Sequence, residues 1–213
     1  MVILNGIDRR PAKLYRETVI VVHHRTPYNI TGMRLFTAIE LPRDVRERLV
    51  EAQSELKLKL SGKISWTAPQ NLHVTLKFLG EVSDADVVRV RDALRSIAIP
   101  RFSISISQLG TFPPRGPARV LMADVAEPTE LLVKLFDAIE DVCEPVGFAR
   151  EQRAFHPHVT LARLRAPRRI SRELESVRLK PLPAFEIREF VLMESRLTAV
   201  GSEYQPVSTV ALL

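Results

Sequence analysis

"NLHVTLKFLGEV" (residues 71–82) and "FHPHVTLARLR" (residues 155–165) share the word His-Val-Thr-Leu, once in each half of a 213-residue chain. Successive side chains of an extended strand alternate between its faces, so residues two apart point the same way. His73 and Thr75 therefore share one face, with Val74 and Leu76 on the other. His158 and Thr160 stand against Val159 and Leu161 in the same manner. Each word reads as a strand with a polar working face and an apolar anchor. The chain has only five histidines, so spending two on identical tetrapeptides calls for a mechanism rather than for packing alone.

The surrounding pattern sets the fold class. "RLFTAIEL" (34–41) alternates as a strand, and Pro42 leads into the amphipathic helix "RDVRERLVEAQSELKLKL" (43–60). "KISW" (63–66) and the first motif strand follow. Ser83 and Asp86 then form a capping box before Val87, Val90, Leu94 and Ile97 at helical spacing. "FSISISQLG" (102–110) and "RVLMADV" (119–125) are strands. Thr129 opens a second long helix, with Leu132, Leu135, Phe136, Ile139 and Val142 on one face. After the second motif strand comes a basic stretch, and "AFEIREFVLMESRL" (184–197) and "YQPVSTVALL" (204–213) close the chain as strands. Strands fall in pairs between helices, which favours antiparallel pairing and an α+β class. The repeated theme of helix plus motif strand suggests two pseudo-symmetric lobes, their antiparallel sheets facing a central cleft and their helices outermost.

Two such strands side by side about a local twofold would line a cleft with two imidazoles and two hydroxyls. Imidazole titrates near neutrality, so one ring can take a proton from water while the other gives one to a departing alkoxide. The threonine hydroxyls can hold non-bridging oxygens of a phosphoryl group. Such a site suits displacement at a phosphodiester with no metal and no cofactor. The sequence shows neither the cysteine ligands nor the carboxylate clusters of a hydrolytic metal centre.

Other residues compete for roles. Lys77 continues the His73–Thr75 face by strict alternation and is a candidate phosphate ligand. Arg163 falls on the wrong face by the same count and needs a bulge to reach the cleft. Arg163, Arg165, Arg168, Arg169 and Arg172 form a run that would suit an RNA backbone or simply a solvated loop. Trp66 and Phe155 are candidates for stacking a base, with core packing the more frequent use of either ring. His156 reads as a tolerated neighbour of Pro157, and His23 and His24 as incidental. Cys143, the only cysteine, lies on the apolar face of a helix and reads as a buried, inert thiol.

The two words in their contexts, "SWTAPQNLHVTLKFLGEV" and "GFAREQRAFHPHVTLARLR", resemble the 2H phosphoesterase superfamily. Within it they are most similar to the RNA 2′,3′-cyclic phosphodiesterases, historically called 2′-5′ RNA ligases. "MRLFTAIELP" resembles the beginning of those proteins, so residues 1–32 are expected to be an N-terminal extension outside a bilobal domain spanning 33–213. The resemblance implies hydrolysis of a terminal 2′,3′-cyclic phosphate on RNA to a 2′-phosphomonoester. It implies His73 as proton donor to the leaving 3′-oxygen and His158 as the base that activates water. Thr75 and Thr160 match the phosphate-binding threonines, and Arg163 a position that recurs after the second word. Local symmetry alone does not order the two histidines. Alternatives are a phosphodiesterase or reversible ligase acting on 2′-5′-linked or small cyclic nucleotides, and an RNA-binding module without turnover.

The net charge of +6, half of it within the first thirty residues, is compatible with a phosphate-bearing partner without demanding one. No apolar run approaches the length of a membrane span, and "TVIVV" (18–22) is too short for the apolar core of a signal peptide. A cytoplasmic enzyme acting on RNA is expected, with no membrane and no obligate protein partner.

Overall fold

β1 (Gly32–Glu40) lies near the middle of the architecture, paired on one side with the first motif strand, β3 (His73–Ser83), and on the other with β9 (Glu189–Thr198). The computed structural model describes residues 32–126, 130–179, 182–199 and 201–213. Residues 1–31 of the expected extension, with His23 and His24, and the helix-opening Thr129 lie outside the described residues, while Gly32, the last residue assigned to it, opens β1 opposite Ser83.

The remaining elements are α1 (Arg43–Lys59), β2 (Ile64–Trp66), α2 (Asp84–Arg95), β4 (Phe102–Ile104), β5 (Ile106–Phe112), β6 (Ala118–Val125), α3 (Glu130–Cys143), β7 (His158–Arg168), α4 (Ser171–Glu175), β8 (Phe185–Ile187) and β10 (Gly201–Ala211). Ser83 caps α2 by accepting from the Asp86 backbone N–H at 3.2 Å, and its hydroxyl donates to the Asp86 carboxylate at 2.7 Å. On α3, Leu132, Leu135, Phe136 and Ile139 are buried, the apolar stripe that its sequence spacing predicts.

The class is mixed α and β with antiparallel pairing in every ladder. The strand order is β10-β9-β1-β3-β7-β6-β5, with β2 also pairing β7 and a separate β4-β8 ribbon. Two facing sheets were expected; the hydrogen bonding instead runs through one eight-stranded sheet. Its halves meet between the two motif strands at one register pair, Val74 opposite Val159. Both valines are fully buried, as are Leu161 and, to within 4%, Leu76, in a core shared with the helices.

Two segments that alternate as single strands are each broken in two. "FSISISQLG" divides at Ser105, whose carbonyl accepts from Ala126, so β4 joins β8 while β5 joins β6. "AFEIREFVLMESRL" divides at Arg188, whose carbonyl accepts from Leu212. In both, the residue at the break still bonds toward the second half's partner, one step beyond the Ile106–Val125 and Glu189–Ala211 pairs.

Candidate active site

The first six residues of both motif strands have the same burial sequence: half-buried, buried, half-buried, buried, buried, exposed. The two adjacent buried positions mark a β-bulge. Along β3, Thr75 pairs Ala38 and Lys77 pairs Thr37, which leaves Leu76 without an opposite residue. Along β7, Thr160 pairs Met122 and Ala162 pairs Leu121, which leaves Leu161 without one. The bulges sit at the same letter of the word. The bulge carbonyl of Leu161 is not orphaned: it accepts from the Thr67 backbone at 2.9 Å and from the buried Gln53 amide at 2.9 Å.

A bulge inverts the facing of everything beyond it. Lys77 was expected on the working face; it is 5% exposed on the opposite side, bonded to Glu140 of α3 at 2.6 Å and to the Ala149 carbonyl at 2.8 Å. Held in that buried ion pair, it does not reach the working face. Arg163 moves the other way. The Leu161 bulge turns it to the side of His158 and Thr160, where it is exposed and lines a cleft with Trp66 and Tyr204.

The motif residues meet across the β3–β7 junction. With Val74 opposite Val159, one antiparallel step in either direction sets His73 against Thr160 and Thr75 against His158 on a common face. Each imidazole is anchored in the same way. His73 Nδ1–H donates to the Asn71 carbonyl at 2.8 Å, and His158 Nδ1–H donates to the His156 carbonyl at 2.8 Å. An N–H committed to a carbonyl fixes the neutral tautomer and leaves Nε2 with its lone pair. Thr75 Oγ1 donates to His73 Nε2 at 3.0 Å.

The two rings differ in environment. His73 packs against Phe36 at 5.0 Å and meets the Tyr204 ring edge-on at 5.3 Å. Burial pushes its imidazole down to about 4; the Asn71 carbonyl opposes this shift, and the neighbouring His158 adds to it. His158 lies beside His156, ring centroids 6.0 Å apart, and His156 Nε2 reaches Asp124 at 3.3 Å. Asp124 is the register partner of His158, as Glu40 is of His73.

Tyr204, Phe36 and Asp124 carry no motif, and sequence reasoning missed them. So did Phe78, 70% exposed and turned outward by the Leu76 bulge as Arg163 is by its own. Phe155 is half-buried and stacks on Phe136 at 4.2 Å against the core, whereas Trp66 borders the cleft with Lys57 Nζ 5.3 Å from its ring centroid. Beyond Arg163, Arg165, Arg169 and Arg172 are exposed and Arg168 is half-buried. Cys143 is fully buried, and burial raises its thiol to about 11. Among the described residues no group of three His, Cys, Asp or Glu is placed to hold a metal ion, and no helix is long and apolar enough to cross a membrane.

The sequence profile of the family described as LigT like Phosphoesterase matches residues 39–122 and 124–204, one segment for each motif. The RNA 2′,3′-cyclic phosphodiesterase of Archaeoglobus fulgidus is 33% identical over 176 residues, 81% of this chain and 97% of that one. The protein of the same name in Escherichia coli is 29% identical over 183 residues, 84% of this chain and 96% of that one. The crystal structure of E. coli LigT complexed with 3′-AMP matches with a TM-score of 0.70 and 28% identity, covering 85% of this chain and 98% of that one.

Proposed function

Because this chain belongs to the LigT-like phosphoesterase family, we propose that it hydrolyses 2′,3′-cyclic phosphate ends of RNA to 2′-phosphomonoesters without a metal ion. The observation that carries this is the matched pair of anchored imidazoles, each with Nδ1–H on a carbonyl two residues upstream and Nε2 turned to a shared face.

His158 Nε2 takes a proton from water as the water oxygen attacks phosphorus. The P–O3′ bond breaks, and protonated His73 Nε2 delivers its proton to the departing O3′. The products are a 2′-phosphomonoester and a free 3′-hydroxyl. The two rings finish with exchanged protonation states, which solvent resets. Thr75 and Thr160, each across the junction from the other motif's histidine, donate to the non-bridging oxygens, and Arg163 balances the charge that gathers there. Burial keeps His73 neutral in the free protein, so its role as donor depends on the substrate. The phosphate anion enters first and draws a proton onto the ring, which then hands it to O3′.

The test is an oligonucleotide with a 2′,3′-cyclic phosphate end, offered in excess chelator to wild type, His73→Ala and His158→Ala. Ring opening by wild type alone, to a 2′-phosphate product, is the expected result. Loss of wild-type activity in chelator would overturn metal independence, and a 3′-phosphate product would overturn the leaving-group assignment. Binding without turnover would make the protein an RNA-binding module.

A further inference from the structure

A cleft of ≈ 300 Å³ opens beside His73, between the segment leading into β3 and the β9–β10 hairpin. Two of its walls are residues that also hold His73. Asn71 supplies the carbonyl on Nδ1, and Tyr204 presents its ring to the imidazole. The Asn71 side chain donates to the Ser202 carbonyl at 2.6 Å and so ties the two sides together. Trp66, Gln70 and Arg163 complete the lining that matters here. A cation, two aromatic rings and an amide in a cleft of this volume have the chemistry of a nucleotide site rather than of a purely apolar ligand.

We propose that this cleft is a subsite for the nucleotide immediately upstream of the cyclic end, which an RNA chain fills and a cyclic mononucleotide leaves empty. The inference rests on the reading above, in which O3′ departs at His73, and adds to it a stereochemical step. C3′ bears the departing oxygen, and its ring neighbour C4′ carries C5′ and the upstream phosphodiester. The base of the terminal nucleotide hangs from C1′, on the O2′ side. A ribose with O3′ at His73 therefore sends its upstream chain out on the His73 side, where this cleft lies. Arg163, on the same face as His158 and Thr160, stands where the cleft meets the reacting phosphate, so the upstream nucleotide lies on the Trp66 and Gln70 side of it. Trp66 offers the preceding base a ring to stack on. Stacking of this kind is worth roughly tenfold to a hundredfold in affinity.

The experiment compares kcat/KM for cytidine 2′,3′-cyclic phosphate with that for cytidylyl-cytidine ending in a 2′,3′-cyclic phosphate. Wild type should favour the dinucleotide at least tenfold. Trp66→Ala and Gln70→Ala should each cut that preference at least threefold and leave the mononucleotide rate within twofold of wild type. Gln70 is exposed, so its variant keeps the test sound even where the loss of Trp66 harms folding. Equal efficiency on the two substrates in wild type would overturn the subsite while leaving the hydrolase reading intact. So would a preference that Gln70→Ala retains in full. Failure to open either ring would sink the hydrolase reading itself, and the subsite with it.

Discussion

Binding of sulfate, an anion that does not titrate in the neutral range, should draw a proton onto His73. The ring starts at about 4, against an ordinary value of 6.5, because burial penalises its charged form. That gap of about 2.5 pH units corresponds to about 3 kcal/mol at 1.36 kcal/mol per unit, which a bound anion must supply to return the ring to its ordinary value. By linkage, the protonated protein then binds the anion about 300-fold more tightly than the neutral one. The sign follows directly. Affinity is greatest below about pH 4, falls tenfold per unit as the free ring loses its proton, and levels off above the pKa of the complex. Isothermal titration calorimetry near pH 5.5, in two buffers of different ionisation enthalpy, counts the protons taken up. Wild type and His158→Gln should take up roughly one per site, and His73→Gln should lose that uptake. Equal uptake in wild type and His73→Gln, with an affinity that stays flat as pH rises, would refute the anion-induced donor.

The same depressed imidazole bears on folding. The unfolded chain binds more protons than the native one between about pH 4 and 6.5, so stability rises with pH through that window, by up to about 3 kcal/mol. Urea unfolding across that range should show the slope in wild type and a flatter curve in His73→Gln. Lys77→Met should destabilise by about 3–5 kcal/mol, because it strands the buried Glu140 carboxylate. The double variant Lys77→Met/Glu140→Leu should recover most of that loss, and activity per folded molecule should survive in both. Gln53→Leu removes a buried donor from the Thr67 and Leu161 carbonyls and should cost about 1–3 kcal/mol by denaturant titration. Arg163→Ala should lower kcat/KM on a cyclic-ended oligonucleotide at least tenfold and weaken its dependence on salt.

The working face of each motif was legible because four residues of strict alternation suffice to separate His73 and Thr75 from Val74 and Leu76. Beyond the fourth letter, counting fails. A bulge is decided by the partner strand, β1 or β6, and neither partner's letters show that it will skip a residue. Lys77 and Arg163 thus change places for one physical reason. Tyr204 was illegible for another: it reaches His73 from 131 residues further along, through the pairing of β10 with β9 and of β9 with β1. The breaks at Ser105 and Arg188 likewise mark a change of partner strand, from β8 to β6 in one and from β4 to β10 in the other, which the letters do not show.

The paired bulges also divide the labour of variation. In each motif the fourth residue after the leading letter, Lys77 or Ala162, is enclosed by the core, and the fifth, Phe78 or Arg163, is in solvent at the reacting face. A substitution at the fifth position changes the exposed face with little cost to packing, while one at the fourth is judged by the interior alone. The paired bulges thus leave one open letter on each motif strand, an aromatic ring on one and a guanidinium on the other. Two strands alike in burial and in the anchoring of their imidazoles differ in the one letter each leaves open to solvent.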